Sequence, residues 1–274
     1  MKKSFLALVC LALLYNITFL SSCKKNDAPE ADPTVGLTKL KTGYVPGAAA
    51  KIEVYTKTTT LVTGYNKFYI ALYDSVSGKR IDAAKIQLMP MMDMGMMKHS
   101  APFENPVSEN AINHLFPCSA VFIMASTAGT WSLQIKVHNN VGDKTGIITI
   151  PVTVIEPVKS TMKSFTALHD GGKYFVSLVA PSSPKVGIND LEFIIFKKVS
   201  MMSFPADSSL SVSFVPEMPT MGHSSPNNVN PIHIGNGHYK GKVNFTMTGL
   251  WRLNVDFLSG AAVADTTQSF DIEF

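Results

Sequence analysis

Apolar and polar residues alternate with a period of two along most of the chain beyond residue 40. The runs KIEVYT (51–56), FYIALYD (68–74), WSLQIKV (131–137) and GIITIPVTVI (146–155) come first. KYFVSLVA (173–180), LEFIIF (191–196), LSVSFV (210–215) and WRLNVDF (251–257) follow. Val, Ile, Phe and Tyr fill these runs, and Gly, Pro, Asn and Ser separate them. Alternation turns one face toward a core and the other toward water, which is the pattern of a half-buried strand. No useful stretch beyond the N-terminal segment keeps a helical period. Pro151 and Pro181 point to edge positions or strand ends, because proline gives the ladder no donor. The pattern predicts an all-β chain.

The pattern also repeats. Lys67–Leu72 matches Lys173–Leu178, and Met89-Pro90-Met91-Met92 matches Met218-Pro219-Thr220-Met221. His99-Ser100-Ala101-Pro102 matches His223-Ser224-Ser225-Pro226, and Gly129-Thr130-Trp131 matches Gly249-Leu250-Trp251. Four blocks in one order imply one small domain occurring twice, with a boundary near Glu156-Pro157. Each half has about the 100-residue size of an immunoglobulin-like sandwich. The expected organisation is two tandem immunoglobulin-like β-sandwich domains, 39–156 and 157–274. On this alignment the second half inserts a strand and loop, residues 191–209, ahead of its Met-Pro motif. Trp131 and Trp251 each open an alternating strand and are expected to fill the two cores.

The N-terminus sets the compartment. Two lysines precede an apolar run from Phe5 to about Leu14, as in a secretory signal. The run is too short and interrupted for a membrane span. Leu20-Ser21-Ser22-Cys23 resembles a bacterial lipoprotein box, which implies cleavage after residue 22 and lipidation of Cys23. An ordinary signal peptide with a chance cysteine, or an uncleaved anchor, is the alternative. Residues 23–38 read as the lipidated cysteine and a polar tether. The expected location is the cell envelope, lipid-anchored at the outer membrane, with the membrane face left open. Cys10 leaves with the signal and Cys23 carries lipid, so Cys118 has no disulfide partner. The chain has 24 Lys+Arg and 20 Asp+Glu, and loss of Lys2 and Lys3 leaves 22 against 20. With no block of like charge, nucleic acid is not an expected partner.

Candidate chemistry lies in the methionines. Of 14 in the chain, six fall in the nine residues from Met89 to Met97, and His99 follows. Thioethers are soft, neutral donors that suit Cu(I), and imidazole suits copper generally. Outside the cytoplasm, methionine avoids the oxidation and exchange open to a thiolate. Residues two apart on an extended segment face one side, so Met221 could converge with His223, and Met92 with Met94 and Met96. The stretch 222–241 adds His233 and His238, expected on turn-like loops. Two sites follow. Met218, Met221 and His223, helped by His233 or His238, form the compact one. Met89, Met92, Met94, Met96 and His99 form a looser one. Met124 and Met247 read better as core. Six methionines in nine residues cannot all enter one core, and an adaptable apolar surface is the competing account.

The order M-P-x-M-G-H-S-x-P, then Y-x-G-x-V-x-F-x-M-x-G-x-W-x-L, resembles the YtkA-like family, related to FixH-type proteins. Met218–Pro226, Tyr239, Gly241, Val243, Phe245, Met247, Gly249, Trp251 and Leu253 carry it. The first half keeps Met89, Pro90, Met92, His99, Pro102, Gly129 and Trp131 only. The resemblance covers most of residues 60–257. It implies small extracytoplasmic β-sandwiches associated with copper handling, heavy-metal efflux and terminal-oxidase assembly.

No G-x-S-x-G, H-E-x-x-H, P-loop or C-x-x-C is present, and carboxylates are sparse around the histidines, against hydrolytic zinc. The expectation is a non-enzymatic lipoprotein that binds copper as Cu(I), for sequestration or handover to an efflux or oxidase-assembly partner. The alternative is an interaction module for protein or glycan.

Overall fold

The computed structural model describes residues 31–274. The expected signal segment, Cys23 and the part of the expected tether up to residue 30 lie outside the described residues. The described chain is essentially all β.

The first half contains β1 (Thr38–Val45), β2 (Ala50–Thr56), β3 (Leu61–Val62), β4 (Gly64–Asp74), β5 (Ala84–Asp93) and β6 (Lys98–Ser100). It continues with β7 (Phe103–Glu104), β8 (Phe116–Phe122), β9 (Thr130–Asn139), β10 (Lys144–Val152) and β11 (Val154–Ile155). A five-stranded sheet in the order β1-β2-β4-β8-β7 faces a four-stranded sheet in the order β10-β9-β5-β6. The second half contains β12 (Met162–Thr166), β13 (Lys173–Ala180), β14 (Gly187–Lys198), β15 (Ser211–Met218) and β16 (His223–Ser224). β17 (Val229–Gly235), β18 (His238–Phe245), β19 (Leu250–Ser259) and β20 (Ala262–Glu273) complete it. Its sheets run β12-β13-β14-β18-β17 and β16-β15-β19-β20. Each half encloses its own apolar core, one centred on Trp131 and the other on Trp251. All eight alternating runs lie on strands. Pro151 sits on the edge strand β10, and Pro181 directly follows β13.

The two halves are built alike, but not in the register that the sequence blocks imply. Gly64 pairs with Phe122 on β8, and Gly187 pairs with Phe245 on β18. Both glycines have positive φ, 100° and 99°. Two residues on, Asn66 accepts from Val62 N and donates to the carbonyls of Val62 and Gly64. Asn189 makes the same three bonds with Lys185 and Gly187. Strand β4 therefore corresponds to β14, and Lys67–Leu72 matches Asp190–Ile195 rather than Lys173–Leu178. The segment 191–198 is no insertion; only the loop after it differs from its counterpart. The mismatch has a simple cause: any half-buried strand resembles any other at period two, so alternation carries no register.

The five-stranded sheets meet along a seam. Val121 from the first half packs with Ile194 and Phe196 from the second. Tyr65 N donates to Ser177 Oγ (2.9 Å), and Thr161 Oγ1 donates to the Thr63 carbonyl (3.2 Å).

The buried Asn66 and Asn189 each fix the entry to a central strand. Replacing either by alanine leaves backbone groups unpaired at a part-buried strand start. Each substitution is expected to cost about 2–3 kcal/mol, read as a lower urea midpoint for the full-length chain. A loss within 0.5 kcal/mol, roughly that of an ordinary surface change, would show that the motif is not a structural lock.

Candidate metal site

Each sandwich has a corner built on its tryptophan. Trp131 is fully buried. Its indole Nε1 donates to the Met124 carbonyl at 2.9 Å, and the His99 ring meets it edge-on, centroids 5.5 Å apart. Met92 lies cross-strand from both Trp131 and His99. The second half repeats this. Trp251 Nε1 donates to the Met247 carbonyl at 3.0 Å, His223 lies edge-on at 5.8 Å, and Met218 pairs with His223. Glycine lies beside each methionine, required at Gly129 by the close backbone and at Gly249 by its φ of +125°. A Cβ on Gly129 would come 2.5 Å from the Asp93 carbonyl oxygen and 3.1 Å from Met92 Sδ, and one on Gly249 would come 3.0 Å from Met218 Cε.

Met92 thus corresponds to Met218, not to Met221. Pro90 corresponds to Pro216, each facing a leucine of the next strand. Met92 and Met218 are buried in the two cores. The expected convergence of Met221 with His223 does not form, because the chain turns between them. Met221 N and Gly222 N both donate to the Met218 carbonyl, Gly222 takes φ +63°, and Met221 stands exposed at the tip. The same reason separates Met92 from Met94 and Met96: β5 ends at Asp93, and the last two belong to the hairpin turn. Met89 lies exposed on β5, away from the turn.

The three histidines of 223–238 also part. His223 belongs to the four-stranded sheet, while His233 and His238 belong to the five-stranded one. NPIH is strand rather than turn, and the tight turn is Asn236-Gly237. His233 Nε2 accepts from Gly237 N at 3.3 Å. His238 is occupied on both sides, by Glu192 Oε1 at Nδ1 (2.6 Å) and Glu104 Oε1 at Nε2 (2.8 Å). Two carboxylate partners require two N–H donors, so this ring is an imidazolium with no lone pair for a metal.

The structure gathers a different set. A cavity of about 370 Å³ lies against the β5–β6 hairpin, lined by Met94, Met97, His99, Met124, Met201 and Lys198 among others. Met201 comes from the loop after β14 in the other sandwich, and its carbonyl accepts from Ser100 N at 2.8 Å. His99 is 3 % exposed. Its Nδ1 lies 2.7 Å from the Ser100 carbonyl. A carbonyl only accepts, so Nδ1 carries a proton, and in the neutral ring Nε2 presents a lone pair. Nε2 is buried and has no hydrogen-bond partner. Leaving a buried polar atom unmatched costs about 1–3 kcal/mol, and a backbone carbonyl on the far ring nitrogen is how metal-ligating histidines are commonly oriented. Among the described residues, no three His, Cys, Asp or Glu side chains cluster as metal ligands, so any site here depends on thioethers. Of the expected residues, Met94 and His99 are here. Met97 was visible in the run and Met201 in the KKVSMMSF loop, but nothing in the sequence joins a loop to a hairpin 100 residues away.

His238 has a structural role at the seam, joining Glu104 of the first sandwich to Glu192 of the second. Burial alone would lower its pKa, but hydrogen bonds to Glu104 and Glu192 outweigh this and raise it to about 9. Burial pushes both carboxyls up, yet the bonds to His238, with Ser119 on Glu104 and Lys240 on Glu192, hold them below the usual range. The histidine part is fully present below the unfolded value of about 6.5 and is lost as pH rises through about 9. The carboxylate part is present above about 4.5 and is lost as pH falls through the lowered values. The clasp is thus strongest between about pH 4.5 and 6.5, and raising the pH from 6 to 9.5 should remove on the order of 3 kcal/mol. His238→Gln should flatten this alkaline limb in urea titrations; an unchanged limb would assign it to other groups.

No curated protein matches the chain. Among solved structures, domains 5–6 of the S-layer protein SbsC share 9% identity at a TM-score of 0.28, over 86% of this chain and 98% of that one. A longer piece of the same surface layer protein, domains 4–9, shares 9% at a TM-score of 0.27, over 82% of this chain and 34% of that one. Residues 168–256, the body of the second sandwich with its Trp251 corner, match the model of the YtkA-like family.

Proposed function

We propose that the protein binds a soft monovalent metal ion, Cu(I), as cargo in the cavity between the β5–β6 hairpin and the Met201 loop. The reading includes export and lipid anchoring through Cys23, so that the bound ion is sequestered or handed on at the cell envelope. The buried, unpartnered Nε2 of His99 carries it, set in a wall of Met94, Met97, Met124 and Met201. A thioether and imidazole set is neutral and soft, which suits Cu(I) and Ag(I). No carboxylate lines the cavity, whereas Lys198 does. An ammonium beside the site opposes a divalent ion twice as strongly as a monovalent one at equal distance. Zn(II) and Cu(II) are therefore disfavoured on both softness and charge. Because Met201 belongs to the second sandwich, the ion would draw on both.

The test is anaerobic competition for Cu(I) against a chromophoric chelator, with the full-length chain in detergent. One ion per chain with submicromolar affinity is expected. Met→Leu conserves volume and apolar character, so Met94→Leu, Met97→Leu and Met201→Leu should fold normally. Each is expected to weaken binding by roughly tenfold, or 1.4 kcal/mol, while Zn(II) shows no saturable binding. A triple variant with wild-type affinity would sink this site, and a wild-type chain without Cu(I) binding would sink the function.

A further inference from the structure

We infer that Met96 is the exchange ligand through which the ion enters and leaves the cavity, an inference that rests on the Cu(I) reading above. The observation is a gradient of thioether exposure along one hairpin. Met96 is 102 % exposed at the tip, Met97 next to it is 51 % exposed, and Met94 is 38 % exposed. The last two also line the cavity, and His99 at its wall is 3 % exposed. Sulfur donors thus run from open solvent to a buried imidazole within four residues.

The tip is held in one shape. Met94 N donates to the Met97 carbonyl at 3.0 Å, and Met96 N to the Met94 carbonyl at 3.1 Å. Asp93 Oδ1 accepts from Gly95 N at 2.9 Å, and Lys98 Nζ lies 2.8 Å from Asp93 Oδ2. Gly95 supplies the positive φ, +81°, that closes the turn. The Asp93 charge is matched by Lys98, so the tip offers the ion neutral sulfur rather than a fixed anion. A large apolar side chain fully in water gains nothing from burial, and packing gives no reason for methionine at this position. The corresponding turn of the second sandwich is two residues shorter, Pro219–Gly222, and exposes one methionine, Met221.

Exchange here is a ligand substitution. A new Cu–S bond forms to Met96 as one bond to the donor molecule breaks, and the ion then passes to Met97 or Met94 by the same replacement. Copper stays Cu(I), and no proton or electron moves. A group that acts in passage changes entry and exit rates alike and leaves the equilibrium untouched.

The experiment is stopped-flow transfer of Cu(I) between the full-length protein in detergent and bathocuproine disulfonate, in both directions, under anaerobic reducing conditions. Met96→Leu should slow uptake and release by about tenfold each, with an affinity within about twofold of wild type. Met221→Leu, at the other exposed tip, should change neither rate. Wild-type rates in Met96→Leu would overturn the relay while leaving the cavity site standing. A loss of affinity equal to that of Met97→Leu would make Met96 an equilibrium ligand, which also overturns it. Equal slowing in Met221→Leu would reduce the effect to any exposed thioether. Absence of Cu(I) binding by the wild-type chain would remove the cavity reading itself, and the relay with it.

Discussion

The indole N–H of Trp131, donated to the Met124 carbonyl, is the bond around which the first sandwich and its candidate site are arranged. A buried indole must place that proton on an acceptor, and here the acceptor lies in the segment between β8 and β9, which folds back over the start of β9. The folded-back segment carries Met124 to the cavity wall. The same ring fixes the edge-on His99, and His99 in turn fixes the hairpin through its pairing with Met92. A core requirement and a site requirement are thus met by one side chain. Trp251 does the same for Met247, His223 and Met218 in the second half.

One corner, present twice, has been used in two ways. In the second sandwich it stays at the surface: His223 is half-buried and Met221 and Met247 are exposed. In the first, a hairpin longer by two residues adds Met94, Met96 and Met97, and the other sandwich lays its Met201 loop against the hairpin. The half that matches the family model is therefore the simpler copy. The half that departs from the family pattern holds the more enclosed set of donors. The departure from pattern comes from the added methionine turn, and the enclosure from that turn together with the Met201 loop of the other sandwich.

The seam matters because the enclosure is shared. Its polar contacts are of two kinds: neutral bonds to the buried Ser177 and Thr63, and a half-buried charged cluster in which His238 lies between Glu104 and Glu192, with Ser119 donating to Glu104. Such a cluster is unfavourable to bury unless each charge is matched, so it admits few relative placements of the two sheets. Together with the apolar contact of Val121 on Ile194 and Phe196, it holds the Met201 loop where the cavity needs it. Cys118 is a free thiol beside this cluster; burial, with a smaller push from Glu104, raises its pKa to about 12, which keeps it an inert thiol.

The sequence by itself determined the all-β class, eight of the strands, the duplication, the buried tryptophans and the soft-donor chemistry of residues 89–99. Those features are local: alternation, turn residues and side-chain type are all written within a few positions. It also pointed to Met94 and His99. Tertiary structure alone decided the register between the halves, since a period of two looks the same at every strand. It decided that Met221 turns away from His223, because Gly222 and the Met218 carbonyl make a turn where extended geometry was assumed. It decided that His238 is a cation between two carboxylates, one of them 134 residues away. And it decided that Met201 completes the wall around His99, because contact across a seam depends on how two separately folded cores pack, which no local pattern encodes.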